Sequence, residues 1–406
     1  MKPIFNRVRI LPIIYSLVFT LFFVPVAASA ATYYVSTTGN DSNNGTTPTT
    51  AWKTLKKACD TVTASGNTIH VVAGTYPNEG KCNLAVGVNL EGEGATNTIV
   101  KSAVTGQWSV YMTLQSPQGT PGNQTISNIQ FDGQYTGPYN VSQPGPTNKT
   151  WWAIEVRGRG NVTMHDIKVV NFVDRGVVFD GNDVADPTTT PYYSSGNRFY
   201  NNTILNSAQH NGQYGSGLLN IGGQKDMLIY NNTLIQDQRP DFANGWPIKL
   251  WDNGWIKDVK IYNNTLIKKN YAGTYPFDHA DFDFAFEMFN IDGGVEIYNN
   301  NIQGSIDVNY NRKGSYPYSV WIHDNTLNHT PLGIHQESGI IFEFATESAI
   351  VENNTFNNFS HGILFNARTP SNNGGYPQNP APTGGYSHLT DNIIRNNLFT
   401  NLYSTY

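Results

Sequence analysis

The segment IYNNTLI stands at 229–235 and again at 261–267, and near-copies recur along the chain: FYNNTIL from Phe199, IYNNNIQ from Ile297, IHDNTLN from Ile322, VENNTFN from Val351 and IRNNLFT from Ile394. Ser127-Asn128-Ile129 and His165-Asp166-Ile167 extend the series backwards, giving one column: Asn128, Asp166, Asn201, Asn231, Asn263, Asn299, Asp324, Asn353 and Asn396. The intervals run unevenly from 25 to 43 residues. A period of this size means stacked units, each burying its apolar face against the next.

The unit is a strand followed by a turn. Ile229, Ile261 and Ile297 alternate with Tyr230, Tyr262 and Tyr298, as a period of two requires. No leucine-rich framework and no 3.6-residue period is visible. Turn-forming asparagine, able to bond the same residue one coil above and below, accounts for the Asn pair; the glycosylation pattern it also spells is explained better by the repeat. Few charges, at 14%, suit a single parallel β-helix of three short strands per coil. His165 and His323 occupy the tyrosine column.

Residues 1–30 carry Lys2, Arg7 and Arg9, an apolar run and Ala28-Ser29-Ala30, the order of a secretory signal cleaved near Ala30. Its removal leaves 22 basic against 30 acidic residues, and the net charge moves from -5 to -8. So acidic a chain has no general attraction for nucleic acid or anionic membranes. Nothing after the signal is apolar and long enough to span a bilayer. Cys59 and Cys82, the only cysteines, fit one disulfide in an exported protein, extracellular or periplasmic.

Beyond the signal the chain reads as one domain, 31–406: an edge strand and N-terminal cap over 31–66, then coils over 67–406. The repeat resembles the right-handed parallel β-helix of the pectate lyase superfamily, and YYVSTTGNDSNNGTTPTTAWKTLKKA at 33–58 resembles the opening of secreted members. The resemblance implies a capping helix, with 52–62 at the right spacing, and a first coil at TIHVVAGTY, 68–76.

A second strand follows each Asn turn, and alternation sorts its residues. In NGWPIKLWD, Ile248 and Leu250 point in while Lys249 and Trp251 point out; in DFDFAFEMF, four apolar residues from Phe282 to Met288 point in while Asp281, Asp283 and Glu287 point out. Stacked, the outward positions read Glu155, Asp180, Asn220, Lys249, Glu287, Asp307, Glu343 and Asn366. Trp251 and Trp255 lie near Lys249 and Trp246 at the preceding turn, and sugar faces stack on such rings. This predicts a glycan groove, with Asn220, Asp180, Trp251, Trp255 and Arg368 as binding residues.

Similarity of the opening to family-nine pectate lyases implies a polysaccharide lyase: Lys249 abstracts the proton beside a uronate carboxylate, and Asp278, Asp281 and Asp283 hold calcium, whose hard charge suits clustered carboxylates. A second reading needs only carboxylates. Outward acids on neighbouring coils stand about 5 Å apart, and on alternate coils about 10 Å apart, which brackets glycosidase geometry; Glu287, Asp307 and Glu343 are then acid and base. A third is a glycan-binding or adhesin surface without catalysis. No phosphate loop, zinc spacing or GxSxG elbow is present.

Overall fold

The computed structural model describes residues 30–137, 145–181, 193–208, 217–237, 245–250, 254–268, 284–329, 338–342, 345–365 and 389–403. It is a parallel β-helix: every paired strand runs parallel to its neighbour, and each coil contributes one strand to each of three long sheets. One coil illustrates the path. Lys260–Tyr262 lies in the first sheet, Thr265–Lys268 in the second and Phe284–Met288 in the third; after the corner strand Ile291–Asp292 the chain re-enters the first sheet at Val295–Tyr298.

Apolar residues stack in register inside the coils. Ile229, Ile261, Ile297, Ile322, Val351 and Ile394 form one file, and Leu234, Leu266, Ile302, Leu327, Phe356 and Phe399 another. Outside the first sheet His165, Tyr200, Tyr230, Tyr262, Tyr298 and His323 stack with centroids 4.9–5.1 Å apart, one ring per coil.

The two asparagines of the repeat divide the labour. Asn201, Asn231, Asn263 and Asn299 adopt left-handed backbone, φ 54–56°, a conformation asparagine tolerates better than most residues. The stacked column of the turn thus holds, but the side-chain ladder runs through the next residue. Asn232 Nδ2 donates to Asn264 Oδ1 at 2.9 Å, Asn264 to Asn300 at 3.0 Å, Asn300 to Asn325 at 2.9 Å and Asn325 to Asn354 at 3.0 Å, all buried. Each of these oxygens also accepts the backbone N–H of the preceding coil's asparagine. Turning the chain inward leaves peptide groups in a dry corner, and the ladder satisfies them.

At the N-terminus, strand Thr32–Val35 pairs with Thr68–Val71, and helix Leu55–Thr61 closes the first coil. Thr54 caps that helix by accepting from Lys57 N at 3.2 Å, and Cys59 is bonded to Cys82. No described helix is long and apolar enough to cross a membrane.

Glu79 is 3% exposed at the start of this helix, where Lys56 N donates to it at 3.2 Å. Burial pushes its carboxyl up to about 7. A folded value above the unfolded one means that stability from this group is fully present below about pH 4.5 and is lost as pH rises to about 7. Glu79→Gln, which keeps an acceptor for Lys56 N, is therefore expected to raise the melting temperature at pH 8 and to flatten its slope between pH 5 and 7. An unchanged slope in thermal scans of the two proteins would count against this.

Asn311 stacks between Ile291 and Thr346 with both side-chain polar atoms buried and unpartnered. Asn311→Val should stabilise by about 1–2 kcal/mol by removing polar atoms that are buried without a hydrogen bond among the described residues. A lower urea midpoint in the variant would contradict this.

Candidate active site

The third sheet turns one face to the core and the other outward. Register fixes the outward row as Thr113, Glu155, Val178, Asn220, Lys249, Glu287, Asp307, Ile341 and Leu364. Asn220, Lys249, Glu287 and Asp307 thus follow one another on four successive coils. Asp180 is not in this row: Val178 takes the place, and Asp180 pairs two residues farther on with Arg157. Ile341 and Leu364 likewise hold the positions given in the sequence reading to Glu343 and Asn366. Glu343, Asn366, Trp251, Arg368, Asp278, Asp281 and Asp283 lie outside the described residues.

Lys249 and Glu287 meet directly. Lys249 Nζ is 2.5 Å from Glu287 Oε2 and 4.1 Å from the centre of the Trp246 ring, and the two charged residues are only 3% and 8% exposed. A carboxylate and the negative face of an indole both stabilise the ammonium. Burial raises the Glu287 carboxyl above its usual range, with the cation of Lys249 pulling the other way. On the next coil Asp307 is 1% exposed and accepts from Asn309 Nδ2 at 2.5 Å.

A close approach builds the start of this row. A Cβ on Gly217 would lie 2.8 Å from Asn220 Oδ1 and 3.1 Å from Lys249 Cβ, so a larger residue would have to displace the Asn220 amide. The Gly217 backbone N–H donates to Asn220 Oδ1 at 2.9 Å, which leaves Asn220 Nδ2 buried and unpartnered; Trp246 Nε1 is also buried without a partner.

Strand Phe284–Met288 departs from simple alternation. A bulge shifts the register between Phe284 and Phe286, so Ala285, Phe286 and Met288 join the core while Phe284 packs outside with Trp246, Ile341 and Leu364. Phe284 is thus an outward residue, against the sequence reading, because an extra residue re-aims the side chains on one side of a bulge. Phe282 is outside the described residues.

Trp255 sits elsewhere. It is 3% exposed at the corner between third and first sheets, under the Arg312 guanidinium at 4.3 Å, while Arg312 Nε donates to Asp292 at 2.7 Å. This corner network occupies the ring that the groove reading assigned to a sugar.

One feature escaped the sequence reading. Arg157 lies 2.5 Å from Asp180 and 3.2 Å from Glu155, and Arg175 lies 3.6 Å from Asp174 with its guanidinium over Trp152. The run Glu155-x-Arg157 has the period of two that marks paired outward charges, and is the signal that could have revealed them.

No protein-family model matches the chain, and no curated protein matches it by sequence. Solved structures do. A GH136 lacto-N-biosidase from Eubacterium ramulus aligns at TM-score 0.55 and 12% identity over 92% of this chain and 68% of that one. A PL6 alginate lyase in complex with a trisaccharide aligns at TM-score 0.54 and 14% identity, over 86% and 76%. A further alginate lyase, in complex with G6, aligns at TM-score 0.50 and 12% identity over the same shares. At such identities the likeness is one of fold, and these folds carry hydrolases and lyases alike.

Proposed function

We propose that this chain is a secreted polysaccharide-degrading enzyme whose row Asn220–Lys249–Glu287–Asp307 cleaves a glycosidic bond by hydrolysis. The observation that carries the reading is the placement of Glu287 and Asp307 on adjacent coils, in register, on the outward face and little exposed. Adjacent coils are about 4.8 Å apart, close to the roughly 5–5.5 Å that separates the carboxyl groups of retaining glycosidases.

Burial raises the Glu287 carboxyl and its pairing with Lys249 opposes that shift; once it has taken up a proton in exchange for that ion pair, Glu287 donates it to the leaving oxygen as the glycosidic bond breaks. Asp307, held by Asn309, attacks the anomeric carbon and forms a glycosyl ester. Water then attacks that carbon, gives its proton to Glu287 and releases Asp307, restoring both groups.

Elimination is the second reading, favoured by the amine beside the row. Lys249 would take the proton next to a uronate carboxylate, but its ammonium is held between a carboxylate and an indole, an arrangement that opposes its loss of a proton. The calcium ligands proposed from sequence, Asp278, Asp281 and Asp283, lie outside the described residues, so no step is derived through the ion.

The test is incubation of the mature chain with neutral, pectic, alginate and glycosaminoglycan polymers, with calcium or chelator, following reducing ends and unsaturated-product absorbance together. Reducing ends without absorbance are expected, with Glu287→Gln and Asp307→Asn each slowing turnover about 10³-fold. Absorbance that rises with calcium would replace hydrolysis by elimination. Retained glycan binding with neither product would leave a binding surface only.

A further inference from the structure

Resting on the proposed glycan-cleaving site, we infer that the site takes a neutral glycan, not a uronate or sulfated one. Among the described residues two cations stand in or beside the row, Arg157 and Lys249, and each is paired with a buried carboxylate: Arg157 with Asp180 and Glu155, Lys249 with Glu287. Asp307 adds a further acid on the next coil.

An anionic sugar brought here would leave water for a face on which the described cations already face carboxylates. Its carboxylate could reach Lys249 only in competition with Glu287 for that ammonium, bringing two like charges together in a buried place, which is costly. Unpaired burial of a charge is costlier than unpaired burial of a hydroxyl.

Among the described residues, some buried atoms beside the row that lack a hydrogen bond belong to neutral groups and suit neutral polar atoms. Asn220 Nδ2 and Trp246 Nε1 are donors without partners on either side of Lys249, and Asn309 Oδ1 is an acceptor without one beside Asp307. Hydroxyl or amide groups of a sugar complete such a set with no change in charge. Partly exposed Leu364, packed on buried Trp246, Phe284 and Ile341, adds an apolar margin next to it.

Matched polymers isolate the charge. Polygalacturonate and alginate are each compared with their carboxyl-reduced forms, and a neutral galactan with its sulfated form, measuring both binding by titration calorimetry and bond cleavage by reducing ends. The neutral member of at least one pair is expected to bind at least about 100-fold more tightly, with little dependence on salt because no ion pair forms. A preference for the charged member would overturn the inference and leave the enzyme reading standing. Neutral binding without cleavage would overturn the enzyme reading and uphold the inference, and binding of neither member of any pair would overturn the inference outright.

Discussion

Asn264→Ala is expected to cost about 3–5 kcal/mol and to loosen the coils on both sides of it. The wild-type side chain accepts from Asn232 N and Asn232 Nδ2, both at 2.9 Å, and donates to Ile229 O at 3.1 Å, Tyr262 O at 3.0 Å and Asn300 Oδ1 at 3.0 Å. Alanine keeps none of these. Asn232 N and Ile229 O are left in a corner where their residues are buried, and each orphaned group costs about 1–3 kcal/mol. Asn263, one residue earlier, is the control: it is exposed with φ 56°, so Asn263→Ala loses only about 1–2 kcal/mol of left-handed backbone preference, and Asn263→Gly is near neutral. Because coils can open separately, amide exchange around 229–235 and 297–303 reads the effect better than a single melting point. Equal losses for Asn263→Ala and Asn264→Ala would refute the division of roles.

That division shows what a repeat can and cannot tell. The Asn-Asn spacing gave the turn and its stacked column, because only a residue tolerant of left-handed backbone fits there in every coil. It left open which asparagine carries the ladder, since both stand at every turn from Asn201-Asn202 to Asn396-Asn397 except at Asp324-Asn325. Strand alternation fixed which face Lys249, Glu287 and Asp307 occupy, but a shift of two residues leaves the face unchanged. Asp180 was misplaced in this way: loops of different length precede each third-sheet strand, and Val178 supplied no charge to mark the true row. Phe284 failed for a different reason, since a bulge breaks the parity on which the reading depended. The cap was legible from Trp52 onward, and the helix is shorter than expected, Leu55–Thr61, because Thr54 caps it.

Lys249 offers the sharpest test of which chemistry the row performs. If it positions and tunes Glu287, Lys249→Arg keeps a cation at the carboxylate and is expected to retain turnover within about tenfold. An arginine does not deprotonate in a protein, so the same variant of a proton-abstracting base should lose about 10³-fold or more. Lys249→Met separates the effects further. Without the cation the Glu287 carboxyl, already raised by burial, rises again, since Lys249 is what lowers it. Its folded value then stands farther above the unfolded one, so the stability it contributes is present at low pH and is lost over a window that extends to higher pH. At alkaline pH an ionised, unpaired Glu287 should cost about 3–5 kcal/mol; at acid pH the protonated group should cost little. The rate should follow the same proton: a general acid works only while protonated, so the alkaline limb of kcat/KM moves upward in Lys249→Met while turnover on the acid side survives. A Lys249→Met enzyme that is folded but inactive at every pH, together with an inactive Lys249→Arg, would instead assign the proton abstraction to Lys249 and the reaction to elimination.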